Sequence, residues 1–191
     1  MQLELETSRL TLRPVGMTDA ANLERTLCDA EVMRYVGKPL TPAALEAFMP
    51  TLTRRAAGGA LGIWIASRKD TGMVIGDGIL LPLPIDADDT EWEFLADQKE
   101  LPPREVEVGY ILRREAWGQG YATEICERLL TFGFANLAVD EIVAVTDPAN
   151  AASMRVLTKS GMTNHGLRRA YACETTDFRV TRAAWEANAN V

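Results

Sequence analysis

Apolar positions along the chain recur at two different periods. Over residues 5–15 they alternate, with Leu10, Leu12 and Val15 spaced as on a strand that Pro14 closes. Thr18-Asp19 then opens a helix to about Asp29, with Leu23 and Leu27 four apart. Thr41-Pro42 opens a second helix, with Pro at its first position, that runs to about Ala57 and stops at Gly58-Gly59. Residues 61–67 and 73–81 predict a hairpin about the turn Lys69-Asp70-Thr71-Gly72. The pattern breaks at 82–104, a stretch holding Pro82, Pro84, Pro102 and Pro103. It reads as a long insertion, with one short ordered piece around Trp92 and Phe94; structureless loops of this length are usually functional or disordered.

Alternation resumes at 106–112. Val106, Val108, Tyr110 and Leu112 share one face, and Glu105, Glu107, Gly109 and Ile111 the other. Beyond Gly118-Gln119-Gly120, the residues Ala122, Ile125, Cys126, Leu129, Leu130 and Leu137 mark one face of a helix. Residues 141–145 form the next strand. Asn150 caps a helix that Gly161 stops, and 162–185 reads as two more strands. The expectation is an α+β (mixed α/β) fold, with a mixed sheet carrying helices.

At 191 residues the length fits one domain, 1–191, since domains run ~100–200 residues. The apolar share of 47% and charged share of 25% are those of a soluble globular chain. The net charge of −7 argues against a nucleic-acid partner. That charge is local. Asp86, Asp88, Asp89, Glu91, Glu93, Asp97, Glu100, Glu105 and Glu107 stand against only Lys99 and Arg104, and the rest of the chain is neutral. No apolar run approaches the ~20 residues that span a bilayer. Residues 1–13 are too charged for a signal peptide. Cys28, Cys126 and Cys173 are widely spaced, which fits a reducing cytoplasm and offers no zinc site. With His165 as the one histidine, a multi-histidine metal site is impossible, and no metal is expected.

The segment Trp117-Gly118-Gln119-Gly120-Tyr121-Ala122-Thr123, between a strand and a helix, has the makings of a phosphate cradle. A helix N-terminus offers free amides and partial positive charge, and glycines let the backbone close on an anion. It is no Walker loop. As a dinucleotide fingerprint it is poor, because Thr123 stands at the third glycine position. For the motif alone, a tight strand–helix turn that binds nothing is the competing reading. Asn150-Ala151-Ala152-Ser153 is the second unit, and Asn150 alone is a plain N-cap.

Together these units resemble the GNAT superfamily of N-acetyltransferases. The strings are Glu107-Val108-Gly109-Tyr110, the Trp117–Glu124 segment, Asn150-x-x-Ser153 and Ser160-Gly161-Met162. They are similar to the branch that acetylates N-terminal amines of ribosomal proteins. Glu6-Thr7-Ser8-Arg9-Leu10-x-Leu12-Arg13-Pro14 resembles that branch's first strand, and Thr181-Arg182-x-x-Trp185 its last. The resemblance implies a central, mostly antiparallel sheet flanked by helices on both faces, with acetyl-CoA as cosubstrate. It implies that the amides of Gly118, Gln119, Gly120, Tyr121, Ala122 and Thr123 hold the pyrophosphate. The strand residues Tyr110, Ile111, Leu112 and Arg113, with Asn150, would meet the pantetheine arm. Met33, Arg34 and Tyr35 would line the acceptor site. Relatives often pair, so a homodimer is an open expectation.

An ammonium cannot attack a thioester, so a base must take its proton. Charge developing on the carbonyl oxygen and the leaving sulfur needs donors. Glu107 is the candidate base and Glu105, on the same face, competes with it. Ser153 is the candidate donor to the sulfur by resemblance, with Tyr110 and Tyr171 as weaker alternatives. His165 reads as structural or exposed and Cys126 as core packing. The expected activity is acetyl transfer to a primary amine, a protein N-terminus or a small cationic amine. A non-catalytic acyl-CoA-binding module on the same fold, and an oxidoreductase built on the Gly-x-Gly turn, are the alternatives.

Overall fold

The computed structural model describes residues 1–96 and 99–189, so Asp97 lies outside the described residues. One sheet has the strand order β1-β2-β3-β4-β5-β6-β8-β7. β1 (Leu5–Glu6) and β2 (Leu10–Pro14) lead to α1 (Ala20–Leu27) and α2 (Pro42–Leu52). The hairpin of β3 (Gly62–Arg68) and β4 (Val74–Pro82) follows. Then come β5 (Val106–Leu112), α3 (Tyr121–Asn136), β6 (Glu141–Thr146) and α4 (Ala151–Lys159). β7 (Thr163–Ala170), β8 (Cys173–Thr181) and α5 (Arg182–Ala189) complete the order. Neighbouring strands are antiparallel except β5 and β6, which are parallel.

β3 shows why helices cover both faces. Its run Gly-Ile-Trp-Ile-Ala is buried throughout, as in a strand packed on two sides. Trp64 meets Phe132 of α3 edge-on at 5.4 Å. Ile63 and Ile65 turn the other way, into a cluster with Leu23 of α1 and Leu45, Met49 and Leu52 of α2. Among the described residues no helix is long and apolar enough to cross a membrane.

Three expectations need correction. Residues 5–15 form two strands, because the Thr7 hydroxyl accepts from the Leu10 amide (2.8 Å) and closes a turn between them. α2 ends at Leu52, well short of Ala57, since Arg55 and Ala56 leave it to bridge Ala96 and Leu61. Trp185 lies in α5 and not in a last strand. The Thr181 hydroxyl accepts from the Ala184 amide (3.2 Å), an N-cap that turns the chain from β8 into the helix.

Beyond β4, the described residues of the 82–104 stretch pack against the rest of the protein. Leu83 and Leu95 are buried, and a single tight turn at Trp92–Leu95 is the ordered piece expected there. Trp92 stacks edge-on against Phe48 of α2 at 5.4 Å. Arg104 grips Glu91 (2.8 Å), and Arg169 of β7 reaches Asp86 (2.9 Å).

The feature that positions the site is the junction of β5 and β6. The two strands share a single register pair, Glu107 with Val143. β4 follows β5 to Leu112, so β5 beyond Glu107 keeps one paired edge and offers the other open.

Candidate active site

The glycine loop folds as its sequence suggests. Gly118 and Gly120 have φ of 71° and 82°, the left-handed region where glycine carries no steric cost. The first helical bond runs from the Glu124 amide to the Gly120 carbonyl (3.2 Å). The amides of Tyr121, Ala122 and Thr123 therefore have no acceptor within α3. Arg9 fixes this loop from the β1–β2 turn. Its guanidinium donates to the Gln119 carbonyl (3.0 Å) and to Glu124 (2.7 Å), and lies 4.4 Å from the centre of the Tyr121 ring. The Thr7 hydroxyl and the Arg9 amide also bond Glu124. The Gln119 side chain turns back to the Glu115 carbonyl (2.6 Å), leaving only its backbone in the loop.

A cavity of about 530 Å³ is bounded by this loop, by Tyr110, Ile111 and Leu112 of β5, and by the first turns of α4. Asn150 caps α4, its Oδ1 accepting from the Ser153 amide (3.1 Å). The Ser153 hydroxyl lies 3.1 Å from the Tyr110 hydroxyl, and burial raises the Tyr110 phenol above its ordinary pKa. Arg155 and Lys159, one helical turn apart, add two cations to the same wall. Glu31, Val32, Arg34, Tyr35 and Val36 close the opposite side. The Arg34 guanidinium stacks on the Tyr35 ring at 4.4 Å, whereas Met33 is buried in the protein. Arg113 is absent from the wall; its amide bonds the Ile75 carbonyl (2.9 Å) and its Nε is buried without a partner.

Glu107 stands apart from the cavity wall, where β5 and β6 separate. Its side chain is buried, and burial pushes its pKa up to about 7. The Tyr171 phenol donates to Oε2 (2.5 Å); this bond, the Val145 amide and the field of Arg168 all favour the ionised form. Glu105, its competitor in the sequence, is held by Arg168 (2.5 Å) and Arg179 (3.4 Å) in an ion-pair cluster with Asp177. Tyr171 is thus a partner of Glu107 and stands off the cavity wall that Ser153 lines.

The Acetyltransferase (GNAT) domain, as a sequence family, matches residues 9–163. This chain belongs to the GNAT acetyltransferase family. Its curated relatives include YkkB of Bacillus subtilis, 30% identical over 83% of this chain and 84% of that protein. A second from the same organism, the N-acetyltransferase YoaA, is 31% identical over 87% and 86%. The fold is shared with the aminoglycoside acetyltransferase AAC(6')-Ib solved with coenzyme A, at TM-score 0.73, 21% identity and coverage of 94% of this chain and 99% of that one. An acetyltransferase from Agrobacterium tumefaciens gives the same TM-score of 0.73 at 22% identity, covering 95% and 96%. The protein is an acetyl-CoA-dependent N-acetyltransferase.

In this GNAT member the residues present fit acetyl-CoA. Unpaired amides and two cations suit its phosphates, and an open strand edge beside the cavity suits its amide-bearing arm. Arg155 and Lys159 were not singled out in the sequence, although their i, i+4 spacing just after Ser153 places them on one helix face. Tyr171 was named for another role, and nothing local signals its bond to Glu107. Asp77 was also missed. It is a carboxylate between two glycines in an apolar strand, fully buried, with Oδ2 lacking any hydrogen-bond partner. The expected core role of Cys126 matches its complete burial, which pushes the thiol up to about 12. His165 is exposed on β7.

Proposed function

We propose that Glu107 is the base that takes the proton of a cationic primary amine, and that Ser153 with Tyr110 is the donor to the leaving sulfur. The observation that carries this reading is a buried carboxylate with two hydrogen-bond donors, at the point where β5 opens beside the cavity. Acetyl-CoA supplies the activated acetyl thioester. The amides of Gly118 to Thr123, with Arg155 and Lys159, hold its phosphates. The free edge of β5 at Gly109 to Ile111 and the Asn150 carboxamide nitrogen align its arm.

A carboxylate with a pKa near 7 is half ionised at neutral pH and strong enough to accept a proton. Glu107 is not among the residues that line the cavity, so the proton reaches it by way of water. The paired hydroxyls of Ser153 and Tyr110 face the cavity with a proton to give.

The acceptor is a small cationic amine or a protein N-terminus, the latter as in the ribosomal-protein branch that the sequence strings resemble. The acidic stretch favours a cation by steering. Asp86 and Glu91 are engaged by arginines, and Asp89 accepts from the Thr90 amide and the Trp92 indole. Among the described residues that leaves exposed Asp88, Glu93 and Glu100 as the steering charges. A relative from Aspergillus fumigatus, 28% identical over 85% of this chain and 66% of its own length, is named FsC-acetyl coenzyme A-N(2)-transacetylase. AAC(6')-Ib has been solved with coenzyme A and kanamycin. The first name specifies acetyl transfer to a nitrogen, and the second protein is named for aminoglycoside acceptors.

Thiol release over a panel of N-terminal peptides, polyamines and aminoglycosides is the test. Turnover confined to cationic primary amines is expected, falling on Ser153→Ala. Acetyl-CoA binding without turnover on any amine would leave a binding module.

A further inference from the structure

We propose that Tyr171 is a positioning residue: a strained hairpin tip, clamped by the start of the acidic loop, presents its phenol to Glu107 and fixes that carboxylate for proton transfer. The proposal rests on the reading of Glu107 as the base.

β7 and β8 pair down to Ala170 and Cys173, so Tyr171 and Ala172 form a two-residue turn. Their φ angles are 51° and 55°, both in the left-handed region. Such turns favour Asn, Asp and Gly; a tyrosine followed by an alanine is strained there. Strain of this kind persists only where the surroundings over-determine it. Here the Tyr171 amide donates to the Pro84 carbonyl (3.2 Å) and the Ala172 amide to the Ile85 carbonyl (3.1 Å). Arg169 holds Asp86 (2.9 Å), and Leu83, Val143 and buried Ala170 pack beneath the tip. The result is a largely buried phenol 2.5 Å from Oε2 of Glu107.

Other charges meet this face from every side. Glu105 comes from the residue just before β5, Glu141 from β6, Arg168 from β7, and Asp177 and Arg179 from β8, all in one ion-pair cluster. Asp89 approaches Tyr171 from the acidic loop. Of these, Arg168 is the cation whose field reaches Glu107, and the phenol is its nearest donor. Removing the phenol's proton donor disfavours the ionised carboxylate, so the acid limb of kcat/KM moves to higher pH.

The experiment is the pH profile of kcat/KM by thiol release for wild type, Tyr171→Phe, Glu107→Gln, Ala172→Gly and the double variant Tyr171→Phe/Ala172→Gly, with melting curves for each. Tyr171→Phe shifts the acid limb up by about one pH unit, the usual worth of one hydrogen bond to a charged group. Ala172→Gly raises the melting temperature and leaves the limb in place. The double variant keeps the shift with the stability restored. A limb that stays put in Tyr171→Phe, whether the rate is unchanged or uniformly reduced, overturns the proposal while Glu107→Gln is inactive. A fully active Glu107→Gln removes the underlying base, whatever Tyr171→Phe does.

Discussion

Asp77 on β4 and Glu107 on β5 face the same side of the sheet, since Asp77 pairs with Ile111 and Leu81 with Glu107. Burial raises both carboxyls to a pKa of about 7. Their neighbourhoods differ. Around Glu107 a phenol, a backbone amide and a nearby arginine favour the charged form. Around Asp77 nothing opposes burial, and Oδ2 has no partner. A raised pKa alone therefore does not nominate a base. Glu107 is distinguished by donors that make its ionised form usable, and by its place where β5 parts from β6.

Four variants break or sharpen this contrast. Glu107→Gln comes first, with kcat at neutral pH falling at least about 10²-fold, the usual share of a general base, while acetyl-CoA affinity holds. Next, Arg155→Ala combined with Lys159→Ala weakens acetyl-CoA binding about tenfold by titration calorimetry, the worth of roughly one charge-assisted bond, and less at high salt.

Asp77→Asn is the counterpart of the Glu107 change. Activity stays within about twofold, since no reacting atom is touched. The folded-state pKa of Asp77 is raised, so its contribution to stability is fully present below pH 4 and is lost as pH rises to about 7. Asn carries no such penalty. The variant is more stable than wild type at pH 8 by about 1–3 kcal/mol in urea unfolding, and the gain disappears near pH 4. The smallest effect belongs to Asp88→Asn with Glu93→Gln. It raises KM for a polycationic acceptor by about two- to threefold at low salt and not at 0.5 M, as steering requires.

These contrasts divide by how far apart the interacting residues lie. The loop at Gly118 and Gly120, the Asn150 cap and the Gly161 stop depend on neighbouring residues, and all were legible in the chain. Glu105 and Glu107 share a strand face two residues apart, so alternation could not separate them. Arg168 and Arg179, more than sixty positions away, do so by capturing Glu105. Tyr171 bonds a residue 64 positions distant through a turn whose sequence argues against its own backbone conformation. The end of β8 was misread for a different reason. Thr181 is both a good strand residue and a good N-cap, and tertiary packing of Trp185 on Phe134 chose the helix. Asp77 did carry a signal, an ionisable group amid apolar residues, which alternation counting passes over.

The most direct measurement is the pH dependence of kcat/KM for wild type beside Glu107→Gln, on one amine acceptor at saturating acetyl-CoA. Wild type should show an acid limb with an apparent pKa of about 7, matching the raised Glu107 carboxyl, and Glu107→Gln should lose that limb together with most of the rate. An unchanged limb at full rate in Glu107→Gln would contradict the account.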